Sequence, residues 1–205
     1  MKANPDPEAG TRRIIFGGAF DPVHWGHIRM AEEVRRKWPA EGVVFVPTYV
    51  PPHRSQALVA DFDDRVAMVT AALSDEDWAE VSTIERELPQ PNYSLETVRA
   101  LKRQHPDTTF AFLIGADQLP RFRFWHKPLE LLAEVPLLVG SRPGTDTAAD
   151  SELPTDRVII IPTTPVDISA TSVRQQIRQG ITEEALGRLV PPRVAEYILK
   201  RKLYR

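Results

Sequence analysis

Two histidines, His24 and His27, stand three positions apart behind a glycine-rich turn: Gly17-Gly18-Ala19-Phe20-Asp21-Pro22-Val23-His24-Trp25-Gly26-His27. An imidazole N–H donates readily to an anionic oxygen, and two of them at i and i+3 on a first helical turn project to one side. The turn follows Arg12-Arg13-Ile14-Ile15-Phe16, a short apolar run of the buried-strand kind. It precedes Ile28 to Trp38, where apolar residues at 28, 30, 31, 34 and 38 keep helical spacing. Strand, glycine-rich turn and helix start together aim backbone N–H groups and a positive dipole end at a phosphate. Gly26 would let a nucleotide lie against the backbone, where a Cβ would hold it off. A lone histidine near a helix start is more often a cap or surface residue, so the chemistry rests on the joint pattern.

Further stretches carry groups suited to the same task. Gly115-Ala116-Asp117 places a glycine and a carboxylate at the end of the strand-like run Thr108 to Ile114. Ile168-Ser169-Ala170-Thr171-Ser172-Val173-Arg174 puts hydroxyls at a helix start and an arginine on its second turn. Ser169 reads equally well as a plain N-cap, and Arg174 as a solvated face residue. Trp125 is either an ordinary core aromatic or a half-exposed ring facing anions, since Arg121, Arg123, His126 and Lys127 surround it in sequence. Arg54 ends the stiff loop Thr48-Tyr49-Val50-Pro51-Pro52-His53-Arg54-Ser55. His105, just before Pro106, reads as a surface residue.

Alternating strands and helices must position these groups. Further strands are expected over 42–47, 78–82, 135–139 and 158–161, with Gly140 stopping the run 135–139. Helices are expected over 61–73, capped by Asp61 with an apolar face at 62, 66, 69 and 73, and over 93–104, capped by Ser94. Others fall at 128–133, at 169–179 before Gly180, and at 191–203, while 141–156 is a polar surface loop. The pattern is α/β: a doubly wound, mostly parallel sheet with helices on both faces, forming one domain over 12–205 behind a mobile tail at 1–11. Ligands bind such sheets beyond the strands' carboxyl ends, near the reversal of strand order. The turns at 17–27 and 115–117 and the loop feeding 168–174 should therefore face one crevice.

Composition limits the alternatives. The chain's 205 residues suffice for one well-buried domain, and 26 basic against 28 acidic residues leave no positive field to hold nucleic acid. The absence of cysteine removes disulfides, thiolate metal sites and cysteine nucleophiles. No apolar run has bilayer-spanning length and the polar N-terminus lacks a signal-peptide core, so a cytoplasmic protein is expected. Oligomeric state is open, self-association included.

The motif G-G-x-F-D-P-x-H-x-G-H resembles the signature of the nucleotidylyltransferase superfamily, whose H-x-G-H element also occurs in class I aminoacyl-tRNA synthetases. Ile168 to Arg174 is similar to that superfamily's I-S-S-T-x-I-R element. The middle of the chain resembles the bacterial nicotinate-nucleotide adenylyltransferases. Thr48 to Arg54 is similar to their proline-proline-histidine-lysine loop, and Asn92 to Thr97 to their S-Y-T-x-x-T helix start. Gly115-Ala116-Asp117-Gln118-Leu119 with Trp125-His126-Lys127 resembles their G-A-D-x-L and W-x-K. Ser141-Arg142-Pro143-Gly144 is similar to A-R-P-G, and Leu189 to Ile198 to L-V-P-x-x-V-x-x-Y-I. The resemblance spans about residues 12 to 203 and implies a Rossmann-like fold.

It implies transfer of AMP from ATP to the 5′-phosphate of nicotinate mononucleotide, giving deamido-NAD and pyrophosphate without a covalent enzyme intermediate. His24, His27 and Arg174 would act on the ATP phosphates. Gly17, Gly18, Ala19, Phe20, Gly26, Gly115, Asp117, Arg142, Ile168, Ser169 and Thr171 would surround ATP. Trp125 would stack on the pyridine ring, backbone N–H groups near Ser94, Leu95, His126 and Lys127 would receive the nicotinate carboxylate, and Arg54 the acceptor phosphate. Magnesium would arrive with ATP, because no carboxylate cluster offers a site; Asp21 and Asp117 read as turn and ribose-side residues. Ala19 stands where the family has a hydroxyl residue, Ala170 replaces a second serine, and Pro89-Gln90-Pro91 stiffens a loop that often contains glycine. Competing readings are a nicotinate/nicotinamide dual-specificity or phosphopantetheine adenylyltransferase and a non-catalytic nucleotide-sensing module.

Overall fold

The computed structural model describes residues 11–52, 58–141 and 153–205. His53, Arg54, Arg142, most of the 141–156 loop and all but the last residue of the expected tail lie outside those residues. The sheet has six strands: β1 (Arg12–Gly18), β2 (Gly42–Pro47), β3 (Ala79–Val81), β4 (Thr109–Gly115), β5 (Leu137–Ser141) and β6 (Val158–Pro162). All neighbours are parallel, in the order β3-β2-β1-β4-β5-β6, so the order reverses between β1 and β4. Helices fill the connections: α1 (Trp25–Lys37), α2 (Phe62–Ala72), α3 (Ser94–Gln104), α4 (Leu119–Phe122), α5 (Pro128–Glu134), α6 (Ala170–Arg178), α7 (Glu183–Gly187) and α8 (Pro192–Arg201).

Successive strand side chains point to opposite faces, and here both faces are covered, which explains the unbroken apolar runs. Ile14 and Phe16 of β1, Val43 and Phe45 of β2, and Ala111 and Leu113 of β4 join one core with residues of α1, α2, α6 and α8. Ile15, Val44, Val46, Phe110, Phe112 and Ile114 join a second core with residues of α3, α4 and α5.

Asp61 caps α2 as expected, accepting from the Asp64 N–H at 2.7 Å. The buried face of that helix differs from the periodic reading: Val66 is half-buried, while Arg65 and Met68 are buried. Arg65 tolerates burial because its guanidinium donates to the carbonyls of Ala19 (2.8 Å) and Ala60 (3.3 Å). Tyr93, not Ser94, is the N-cap of α3, and Ser94 is its first helical residue. The fifth strand starts at Leu137 and not Val135, whose N–H still closes α5 on the Leu131 carbonyl at 3.1 Å. Gly140 lies inside that strand, paired with Ile161. Helix α7 falls outside the helices expected from sequence, although Thr182 caps it on the Ala185 N–H with Glu183 and Glu184 in its first turn.

Candidate active site

A cavity of about 860 Å³ is lined by the carboxyl end of β1 and by Gly115 at the carboxyl end of β4, the reversal point of the sheet. Gly17, Gly18, Ala19, Phe20 and His27 line it from the first turn, and Ala170 and Thr171 from the start of α6. Gly115 ends β4 and Asp117 follows it, while Ser94, Trp125, His126 and Lys127 come from elements packed on the other face. The three strand-end segments singled out in the sequence thus meet in one crevice.

His27 is the best-defined donor. Its Nδ1 accepts the backbone N–H of His24 at 3.3 Å, so the ring proton sits on Nε2. Burial, and then the neighbouring His24, hold its pKa well below the usual imidazole range, so it is a neutral N–H donor. The ring is fixed by stacking on His24 at 3.7 Å and by the Phe20 edge at 5.1 Å. Phe20 takes a left-handed backbone (φ 47), a cost of roughly 1–2 kcal/mol offset by a ring buried against Phe16 and Phe45.

His24 itself is buried and is not on the cavity wall. Gly26 is also off the wall, and a Cβ there would lie 3.0 Å from the His24 ring, so the glycine makes room for that ring. The Trp25 N–H, the first of α1, is taken by the Leu189 carbonyl at 3.1 Å, which removes one donor from the expected helix-start phosphate site. Gly115 lies tight against its neighbour, since a Cβ there would lie 2.5 Å from the Asp117 carboxylate.

Arg174 donates from Nη1 to the Asp21 carbonyl at 2.6 Å and from Nη2 to the Thr171 hydroxyl at 3.2 Å. It braces α6 against the first turn and does not line the cavity, though the rest of its fork remains open to an anion. Ser169 caps α6 on the Ser172 N–H at 3.1 Å, and Ile168 is packed into the adjoining core, so neither lines the cavity. Ala19 and Ala170, which replace hydroxyl residues, both do.

Trp125 is half-buried, with Phe112 edge-on at 6.1 Å and Phe122 at 5.2 Å, and also forms part of the cavity wall. His126 is exposed and stacks on Tyr93 at 4.1 Å. Lys127 pairs with Glu130 at 3.0 Å. Leu95 is fully buried as a side chain, so it can serve only through its N–H, one of those at the start of α3 with no carbonyl to bond within the helix.

The profile of the cytidylyltransferase-like family matches residues 15–176. A Rubrobacter xylanophilus protein named “probable nicotinate-nucleotide adenylyltransferase” is 39% identical over 197 residues, covering 93% of this chain and 91% of that protein. Proteins of the same name from Bacillus pumilus (35% identical; 93% and 96% covered) and Synechococcus sp. (36%; 98% and 97%) are similar throughout. The chain belongs to the nicotinate-nucleotide adenylyltransferase family. The fold also resembles the Plasmodium falciparum nicotinic acid mononucleotide adenylyltransferase complexed with NaAD, with a TM-score of 0.75 at 16% identity over 95% of this chain and 97% of that one.

Within this family member, several residues of the site were not singled out from sequence. Glu85 is buried on the cavity wall, where its carboxylate accepts from the Tyr49 N–H and the Thr97 hydroxyl, both at 2.9 Å. Burial pushes its pKa up, and those two donors oppose the rise. Asn92 accepts from the Val50 N–H and donates to the Glu85 carbonyl, both at 2.8 Å, tying the loop after β2 to the approach to α3. Asn92 and Thr97 bound the stretch similar to the S-Y-T-x-x-T helix start, whereas Glu85, in the charged run Ile84-Glu85-Arg86-Glu87, has no pattern to mark it.

Proposed function

We propose that this family member transfers an adenylyl group from Mg·ATP to nicotinate mononucleotide. An oxygen of the acceptor's 5′-phosphate attacks the α-phosphorus, the bond to the β-phosphate's bridging oxygen breaks, and pyrophosphate leaves with that electron pair. Deamido-NAD is the product. The attacking phosphate is already an anion, so no general base is required, and catalysis reduces to positioning and charge stabilisation.

The observation that carries the reading is His27: a neutral imidazole of fixed tautomer on the wall of the cavity that also contains Trp125. In the proposal His27 donates to the phosphates, His24 holds its orientation, and Arg174 offers its remaining N–H groups to the leaving pyrophosphate. Trp125 stacks on the pyridine ring, and the first N–H groups of α3 receive the nicotinate carboxylate. An amide brings its own NH2 donors to those N–H groups and fits less well.

In the proposal magnesium arrives with ATP as part of the substrate, where it would lower the charge of the triphosphate. The cavity carboxylates suit this arrangement: Glu85 is committed to Tyr49 and Thr97, and Asp117 accepts from the Gln118 amide at 2.7 Å. Among the described residues no three His, Asp or Glu side chains form a ligand set. The proposal places the enzyme in the cytoplasm, because charged nucleotides cross bilayers poorly; among the described residues no helix is long and apolar enough to span one.

The deciding experiment is the initial rate of pyrophosphate release from Mg·ATP with nicotinate mononucleotide and, separately, nicotinamide mononucleotide. Release strongly favouring the acid supports the proposal. Equal rates remove the carboxylate argument, and no release from a folded, ATP-binding protein removes the reaction.

A further inference from the structure

Asp21 sits in the middle of the first turn, 3% exposed, with every observed contact directed into the protein. Its Oδ2 accepts the Val59 N–H at 2.7 Å, and its Oδ1 accepts the Ala60 N–H at 3.1 Å. Oδ1 also accepts the hydroxyl of Tyr204 at 2.8 Å, a contact spanning 183 positions of the chain. Its backbone carbonyl takes the Arg174 guanidinium at 2.6 Å. One residue therefore ties the stretch leading to His24 and His27 to three distant segments.

Tyr204 is 5% exposed and touches Met68 as well, its hydroxyl 3.9 Å from the sulfur. Its backbone is left-handed (φ 65), as is that of Lys202 (φ 55), so the chain beyond α8 makes two unfavourable bends on its way to Asp21. Burial and the adjacent Asp21 carboxylate keep the hydroxyl protonated and thus a donor. We infer that Tyr204 is a positioning residue for the reaction: through Asp21 it holds the first turn, and with it His27 and Arg174, in register with the phosphates. The inference rests on the adenylyltransfer proposed above.

The molecule supplies a matched control. Tyr197, on α8, donates its hydroxyl to Asp64 of α2 at the same 2.8 Å, but that contact lies outside the first turn. Tyr197→Phe and Tyr204→Phe each remove one oxygen and one hydrogen bond to a carboxylate. Each would be assayed by steady-state kinetics with Mg·ATP and nicotinate mononucleotide and by thermal unfolding. Tyr204→Phe is expected to lower kcat about tenfold, with the KM for nicotinate mononucleotide changed less than about twofold. Tyr197→Phe is expected to keep the wild-type kcat while losing a similar increment of Tm. In an Asp21→Ala background Tyr204→Phe should lower kcat no further, because the two residues act as one unit; if that background fails to fold, the contrast between the two tyrosines decides. Wild-type kcat in Tyr204→Phe, or equal kcat losses in both tyrosine variants, overturns the inference alone. A wild type that releases no pyrophosphate overturns the parent proposal and this one with it.

Discussion

The cavity is built from two regions held in contrasting ways. On the face carrying α1 and α6, the turn from Gly17 to His27 is cross-braced by buried polar contacts: Arg65 on the Ala19 carbonyl, Arg174 on the Asp21 carbonyl, and Val59, Ala60 and Tyr204 on the Asp21 carboxylate. On the other face the contrast is confined to the segment around Trp125, where Phe124, His126 and Lys127 are exposed, His126 stacks on Tyr93 and Lys127 makes a surface ion pair with Glu130. Buried hydrogen-bonded networks have few alternative arrangements, whereas exposed pairs and stacked rings rearrange at small cost. The braced region suits a task that demands fixed donors, and the looser one suits admitting and releasing a substrate.

The sharpest way to break this contrast is His27→Ala, which should lower kcat roughly 100–1,000-fold, about 2.7–4 kcal/mol of transition-state stabilisation, with unfolding little changed. A smaller loss measured by pyrophosphate release would mean that the braced turn is scaffold only. Asp21→Ala leaves the Val59 and Ala60 N–H groups and the Tyr204 hydroxyl without their buried acceptor, and should cost about 3 kcal/mol in urea unfolding. Trp125→Ala tests the other region: loss of a stacked ring should raise the KM for nicotinate mononucleotide by about 1–3 kcal/mol equivalent, with the KM for ATP unchanged.

The smallest expected effect is on pH dependence. The folded pKa of His27 is depressed, so the unfolded chain binds that proton more readily. Its contribution to stability is complete above the unfolded value of about 6.5 and is lost as pH falls from there toward the folded value. Thermal unfolding of the wild type should therefore fall more steeply with acidification below about pH 6.5 than that of His27→Asn. Parallel curves would contradict the burial of a neutral ring.

Much of this architecture is legible in local pattern. The apolar run to Phe16, the paired glycines and the spacing from Ile28 onward announce strand, turn and helix, because each depends on near neighbours in sequence. The braces are illegible for the opposite reason. Arg65 reads as the polar member of an amphipathic stretch, and its burial depends on carbonyls that only the folded chain brings to it, one of them 46 positions away. Tyr204 resembles any aromatic after an amphipathic helix, and Glu85 any charge in a polar run. Spacing pairs His24 with His27, but it does not show that Gly26 lies against the His24 ring, where a Cβ would come within 3.0 Å of it. Even Val66 was displaced from the expected buried face by a charged neighbour with better partners.

The alternation along β1 has a consequence for how such a protein can diversify. Phe16 faces the core that holds Phe20 and packs beneath His27, while Ile15 faces the core shared with Phe112, Phe122 and the packed side of Trp125. Substitutions that reshape the proposed pyridine pocket therefore fall in a different packing environment from those that would disturb the proposed phosphate donors. On the proposed assignment, the acceptor side can be repacked through one core of the sheet while the groups proposed for adenylyl transfer stay anchored in the other.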